Sequence, residues 1–176
     1  MNIFDYLVAG GVVVLVLGSV YSDLRWRKIP NCLTLPAIVL GLVLNFLDNS
    51  WSGLAFSFLG FSVGLALFFL PFALGGMGAG DVKFLSAIGA FLGAKAVFNV
   101  FLYACLAGGV IALYFIVTQR RVKQTIKNLL LFFKYILFFR SPEIGAELFN
   151  NPVGHIPYGL AVGMGTIGYL IWGRIV

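Results

Sequence analysis

Charge is the scarcest property of this chain: only 10% of its 176 residues are Asp, Glu, Lys or Arg. Each ionisable residue at the edge of an apolar segment therefore needs a reason to be there. Cysteine is nearly as rare. Cys32 and Cys105 stand far apart with no C-x-x-C pair, which excludes the usual zinc and redox pairings and leaves two free, structural thiols. His155 is the single histidine. A metal site needs several ligands, so His155, beside Pro157, reads as a loop or interface residue, and no metal or cofactor is expected. No Lys or Arg precedes the first apolar segment, and no small-residue cleavage site separates it from the charged turn that follows. That segment is expected to be a retained transmembrane helix rather than a signal peptide.

What the chain does have is apolar surface. Hydrophobic residues make up 61%, and mean hydropathy is +1.02. Several runs reach membrane-spanning length, so the expected fold class is an all-α integral membrane protein, one domain over 1–176. About six transmembrane helices are expected, near 3–21, 33–47, 52–72, 81–92, 97–118 and 156–172, the fourth with an alternative end beyond Lys95. Between the fifth and the last, Arg120, Arg121, Lys123, Lys127, Lys134 and Arg140 interrupt or flank Leu, Ile and Phe. This stretch, 119–140, reads as a basic amphipathic helix at the membrane surface, with a tilted extra span as the alternative. Glu143 and Glu147 belong to a polar connector facing solvent. The spacings Gly60/Gly64, Gly89/Gly93 and Gly159/Gly163 suit close helix packing and carry no chemistry. The 18 phenylalanines read as lipid-facing and packing surface.

The net charge of +6 raises the question of nucleic acid. Topology answers it. With the amino terminus outside, the inner loops hold Arg25, Arg27, Lys28, Lys83 and the basic residues of 119–140, and the outer side keeps Lys95 and Arg174. The positive-inside bias then orients the chain with both termini outside, and no nucleic-acid partner is needed. Asp23 and Asp81 fall on the same cytoplasmic face.

Asp81 follows Gly75, Gly76, Gly78 and Gly80 directly between two apolar segments. Glycines permit positive φ and close approach of another chain, so a peptide can lie against this loop. The plainer reading is a turn with Asp81 as helix N-cap. Asp23 lies in Ser22-Asp-Leu-Arg-Trp-Arg-Lys-Ile-Pro-Asn31, at the unfavourable end of the first helix dipole. Arg25, Arg27 and Lys28 are its expected neutralising partners, and a headgroup-binding loop with Trp26 at the interface is the plainer alternative. Pro30 and Asn31 mark the boundary of helix two, where Pro36 is tolerated if it lies in the first turn. Two aspartates on one face suggest aspartic-protease chemistry. Close carboxylates share one proton, one activating water while its protonated partner polarises the scissile carbonyl. Which does which stays open.

These residues resemble a known family. Gly78-Ala79-Gly80-Asp81 matches the G-x-G-D motif of membrane-embedded aspartic proteases, and its continuation through Val82 and Lys83 into an apolar helix looks like the prepilin peptidases. The run Asp23-Leu24-Arg25-x-Arg27-x-Ile29-Pro30-Asn31 is similar to the segment with that family's other catalytic aspartate, and Ile156-Pro157-Tyr158-Gly159 looks like the start of its final helix. The resemblance implies an endopeptidase of the bacterial cytoplasmic membrane with Asp23 and Asp81 as the catalytic pair and no cofactor. Gly78 and Gly80 shape the loop that admits substrate; Lys83, Arg25 and Arg27 are supporting residues, Lys83 through loop, lipid-phosphate or dyad contact. The implied partners are membrane lipids and a prepilin-like substrate, cut after a glycine that joins a short basic leader to a hydrophobic helix. The chain looks most like the short peptidases of tight-adherence (Flp-type) pili. Unlike the longer bifunctional members it has no paired C-x-x-C motifs and no large amino-terminal cytoplasmic domain, so peptidase activity alone is expected. Presenilin-like proteases fit less well, since their other aspartate sits in a Tyr-Asp pair. The rival from another class is a non-enzymatic transporter or assembly subunit whose acidic pair binds a cation or proton.

Overall fold

The computed structural model describes residues 3–73, 76–118, 127, 130 and 158–173. Among these, every regular element is an α-helix: α1 (Ile3–Trp26), α2 (Asn31–Ala73), α3 (Ala79–Thr118) and α4 (Tyr158–Trp172). The chain forms two compact units, Met1–Gly108 with Pro157–Val176, and Gly109–Ile156. The packing and the site described below belong to the first, which holds α3 as far as Gly108. The basic stretch 119–140, apart from Lys127 and Leu130, lies outside the described residues, as do Gly75, Glu143, Glu147, His155, Ile156 and Pro157.

Three helices, α1, α2 and α3, are long and apolar enough to cross a membrane, and α4 is a shorter apolar helix. The count thus differs from six separate segments, and the reason lies inside α2 and α3. A straight helix of 43 residues would run about 65 Å, twice the hydrocarbon core of a bilayer. Instead α2 is broken at Asn49 and Ser50, where the backbone is non-helical, within the polar turn Asp48-Asn49-Ser50. Across this break Gly53 meets the Asn45 carbonyl so closely that no side chain fits. In α3 the break is at Gly93, with φ of 81°, a left-handed conformation that favours glycine.

A broken helix leaves its last carbonyls without N–H partners, and in an apolar surrounding these must be met some other way. The structure meets them with side chains of α2. Ser57 donates to the Ala90 carbonyl at 2.6 Å. Asn45 reaches both the Ala90 and Phe91 carbonyls, at 3.3 and 3.2 Å. Gly60 and Gly89 lie against each other's carbonyls, and Gly64 lies against Leu85 and Ser86, so the second limb of α2 and the first limb of α3 touch backbone to backbone.

That first limb of α3 is the buried stave of the unit, with Phe84, Leu85, Ala87, Ile88 and Ala90 fully enclosed. Val12, Leu15 and Val16 of α1 and Ala161 and Val162 of α4 complete the core. Val14, Leu40, Phe58, Leu102 and Ile171 point outward, a surface suited to lipid tails. Cys32 and Cys105 are free, as expected, but exposed. The Pro30 carbonyl accepts the first helical N–H groups of α2, which puts Pro36 in the second turn.

Candidate active site

The last turn of α1 carries Asp23, and its geometry follows from how the helix stops. Arg27 takes a left-handed φ of 52°, and its N–H closes on the Asp23 carbonyl at 2.8 Å, an αL-type helix ending. Ser22 Oγ donates to the Lys28 carbonyl at 2.6 Å. This folds the connector back over the helix end, with Ile29 buried and Arg25, Arg27 and Lys28 exposed. The expected neutralisation of Asp23 by these basic residues does not occur: among the described residues its carboxylate makes no ion pair. Its partner is the Gly159 N–H, 2.9 Å from Oδ2, with the Leu160 N–H facing it as well.

This partner supplies the reason for Asp23 that its own helix does not. Gly159 is the second residue of α4, where N–H groups lack carbonyl acceptors and the helix dipole is positive. The carboxylate at the negative end of α1 is therefore also at the positive end of α4.

Asp81 is set from the other side. Its N–H donates to the Gly78 carbonyl at 3.2 Å, so Gly78 is the N-cap and Asp81 the third helical residue. It is not the N-cap itself, as the plainer sequence reading had it. A carboxylate at that position folds back on the cap, and a Cβ on Gly78 would stand 3.2 Å from Asp81 Oδ2. Gly80 packs flat on the α1–α2 connector, where a Cβ would meet Ile29 at 3.1 Å. Close approach is thus the use made of these glycines; among the described glycines only Gly93 has positive φ. Lys83 donates to Asn31 Oδ1 at 2.9 Å, the loop contact among its expected alternatives.

The two aspartates meet in consequence. Asp23 is 8% exposed and Asp81 9%, and the Asp81 carboxyl lies within electrostatic reach of Asp23. Tyr158, half-buried at the start of α4, lies within electrostatic reach of Asp81. Arg25 and Arg27, expected as supporting residues, are exposed, Arg25 in the last turn of α1 and Arg27 just beyond it. A cavity of about 740 Å³ lies elsewhere, between Asp5, Asn49 and Tyr169. Those residues belong to the start of α1, the break in α2 and the far end of α4.

Sequence reasoning missed Gly159. Its four-residue spacing from Gly163 reads as packing, and Gly163 does pack on the Val20 side chain. The signal was the Tyr158-Gly159 pair at a helix start. Only the fold shows that this start faces Asp23.

A family profile described as the type IV leader peptidase family matches residues 9–113, which include both aspartates. A prepilin leader peptidase/N-methyltransferase of Xanthomonas campestris pv. campestris is 34% identical over 110 residues, 58% of this chain and 38% of that protein. One with the same name from Burkholderia pseudomallei is 34% identical over 114 residues, 61% of this chain and 37% of the relative. Another from Neisseria gonorrhoeae is 30% identical over 127 residues, 67% and 44%. The matched region thus spans less than half the length of each relative. No solved structure matches the chain.

Proposed function

The chain belongs to the type IV leader peptidase family, and from that premise we propose that it is a membrane aspartic endopeptidase that removes leaders from type IV prepilin-like substrates, with Asp23 and Asp81 as the reacting pair. The observation that carries this reading is the convergence of two nearly buried carboxylates from distant helices beside the start of a third.

The chemistry follows from their proximity. Two neighbouring carboxylates hold one proton between them. The ionised member takes a proton from water as the oxygen adds to the scissile carbonyl carbon; the protonated member hydrogen-bonds the carbonyl oxygen as negative charge develops there. The tetrahedral intermediate collapses with proton transfer to the leaving nitrogen, the C–N bond breaks, and the pair again holds one proton. Gly78, with no side chain beside the Asp81 carboxylate, leaves room there for an extended substrate backbone, and Gly80 shapes the same loop by seating it on Ile29. The hydrophobic helix of the substrate suits an enzyme whose own outward surface is apolar.

Six crossings of a bacterial cytoplasmic membrane, both termini outside and the dyad at the cytoplasmic face, form the topology of this reading. The breaks at Asn49–Ser50 and Gly93 support it by dividing the two long helices. Phe4 and Asp5 share a cavity with Leu170 and Gly173, which supports termini on one side, and the basic connector around Arg25, Arg27 and Lys28 supports an inner dyad. The transporter alternative would place its acidic pair at broken helices. Here Asn49 and Phe56, the latter packed on Gly93, line the cavity with Asp5, at the other end of α1 from Asp23.

The test is co-expression of a prepilin with wild type, Asp23→Asn and Asp81→Asn, read by mobility shift and amino-terminal sequencing. Cleavage by wild type and by neither variant, with equal membrane insertion, is the expected result. Processing by either variant at the wild-type rate would overturn the aspartic mechanism.

A further inference from the structure

We propose that Gly159 is a positioning residue for the reaction: its backbone N–H orients the Asp23 carboxylate, and its lack of a side chain keeps clear the space that this carboxylate fills. The inference rests on the reading of Asp23 and Asp81 as the reacting pair.

Two independent features of the structure meet at this residue. The first is the 2.9 Å hydrogen bond from the Gly159 N–H to Asp23 Oδ2. A donor in the first turn of a helix has no carbonyl of its own helix to bind, so this N–H is free to serve α1. The second is steric. A Cβ at position 159 would stand 2.7 Å from Asp23 Oδ2 and 3.0 Å from both its Cβ and its Cγ. Turning the carboxylate aside relieves the contacts with Oδ2 and Cγ but not that with Asp23 Cβ, which is fixed to the α1 backbone. Any larger residue therefore moves either the carboxylate or the helix. Asp81 is placed differently, within its own first turn by Gly78 and against the α1–α2 connector by Gly80. The geometry of the pair thus depends on how α4 seats against α1.

The same helix pair supplies a control. Gly163 packs on the Val20 side chain, one turn along α4 and away from both aspartates. Gly163→Ala disturbs the α1–α4 seam without touching a carboxylate, and Val20→Ala relieves that disturbance.

The experiment uses the full chain in lipid nanodiscs with a synthetic peptide carrying a short basic leader, a glycine and a hydrophobic helix. The expected result for Gly159→Ala is kcat lowered about 100-fold, the scale of a misplaced catalytic group, with KM changed by less than about threefold. Gly163→Ala is expected to stay near wild type in kcat, with any loss restored by Val20→Ala. Equal kcat losses in Gly159→Ala and Gly163→Ala, or an unchanged kcat in Gly159→Ala, would overturn the proposal. A second measurement stands even if Gly159→Ala does not fold. In 15N-glycine-labelled protein, Asp23→Asn should displace the Gly159 amide resonance and leave that of Gly163 in place; an unmoved Gly159 resonance would overturn the hydrogen bond. Full activity of Asp23→Asn would instead bring down the dyad itself, an outcome separable from either of these.

Discussion

Gly80 lies flat against Ile29: a Cβ on Gly80 would stand 3.1 Å from Ile29 Cβ and 3.2 Å from its carbonyl oxygen. This contact seats the glycine loop on the connector that follows Asp23, and so decides how near Asp81 comes to it. Gly80→Ala needs its neighbours to give by a few tenths of an ångström and should lower prepilin cleavage about tenfold; Gly80→Val has no such room and should lower it about 100-fold or more. Cleavage by equal amounts of membrane-inserted protein measures both. Wild-type rates in the Val variant would show that the loop is free to lift off.

The proton shared by the pair predicts a bell-shaped dependence of cleavage on pH. At the acidic extreme both carboxyls are protonated and no base remains. At the alkaline extreme both are ionised and no acid remains. Initial rates across the stability range of the protein check this, and a flat profile through the acidic and neutral range would count against a working dyad.

Asn45 and Ser57 share two acceptors, the Gly41 carbonyl of their own helix and, across the helix break, the Ala90 carbonyl. Ser57→Ala and Asn45→Leu should each destabilise by about 1 kcal/mol. The double variant should be non-additive, with a coupling on the order of 0.5 kcal/mol, because either residue alone partly satisfies those carbonyls. Thermal unfolding in detergent of the four proteins in this cycle provides the measurement. Strict additivity would mean that the two side chains serve the helix break independently.

Gly60 and Gly89 face each other with no room for a side chain on either. Gly60→Leu should cost on the order of 3 kcal/mol or more through overpacking, seen as loss of protein from the membrane fraction before any kinetic effect. Normal accumulation of this variant would show that the α2–α3 contact can open to admit a side chain.

Lys83 and Asn31 form a bond at an exposed surface, where charge-assisted contacts contribute little. Lys83→Met should change cleavage by less than about threefold. A loss as large as that of Asp81→Asn would make Lys83 part of the reacting machinery.

Local chemistry by itself determined a good deal about this protein. Apolar runs too long for a soluble core specified membrane helices, and Asp48-Asn49-Ser50 specified where α2 would turn. The glycine-flanked Asp81 and the aspartate in a basic connector stood out because ionisable residues are so few. Those properties belong to neighbours along the chain and need no partner to be read. Tertiary structure alone decided the rest. It put Gly159 rather than Arg25 or Arg27 beside Asp23, and Asn45 and Ser57 on the carbonyls freed at Gly93. The physical reason is the same in both cases. A backbone N–H at a helix start and a carbonyl at a helix break look like those of any other residue in a sequence. Which distant group satisfies each of them is settled only when the helices pack.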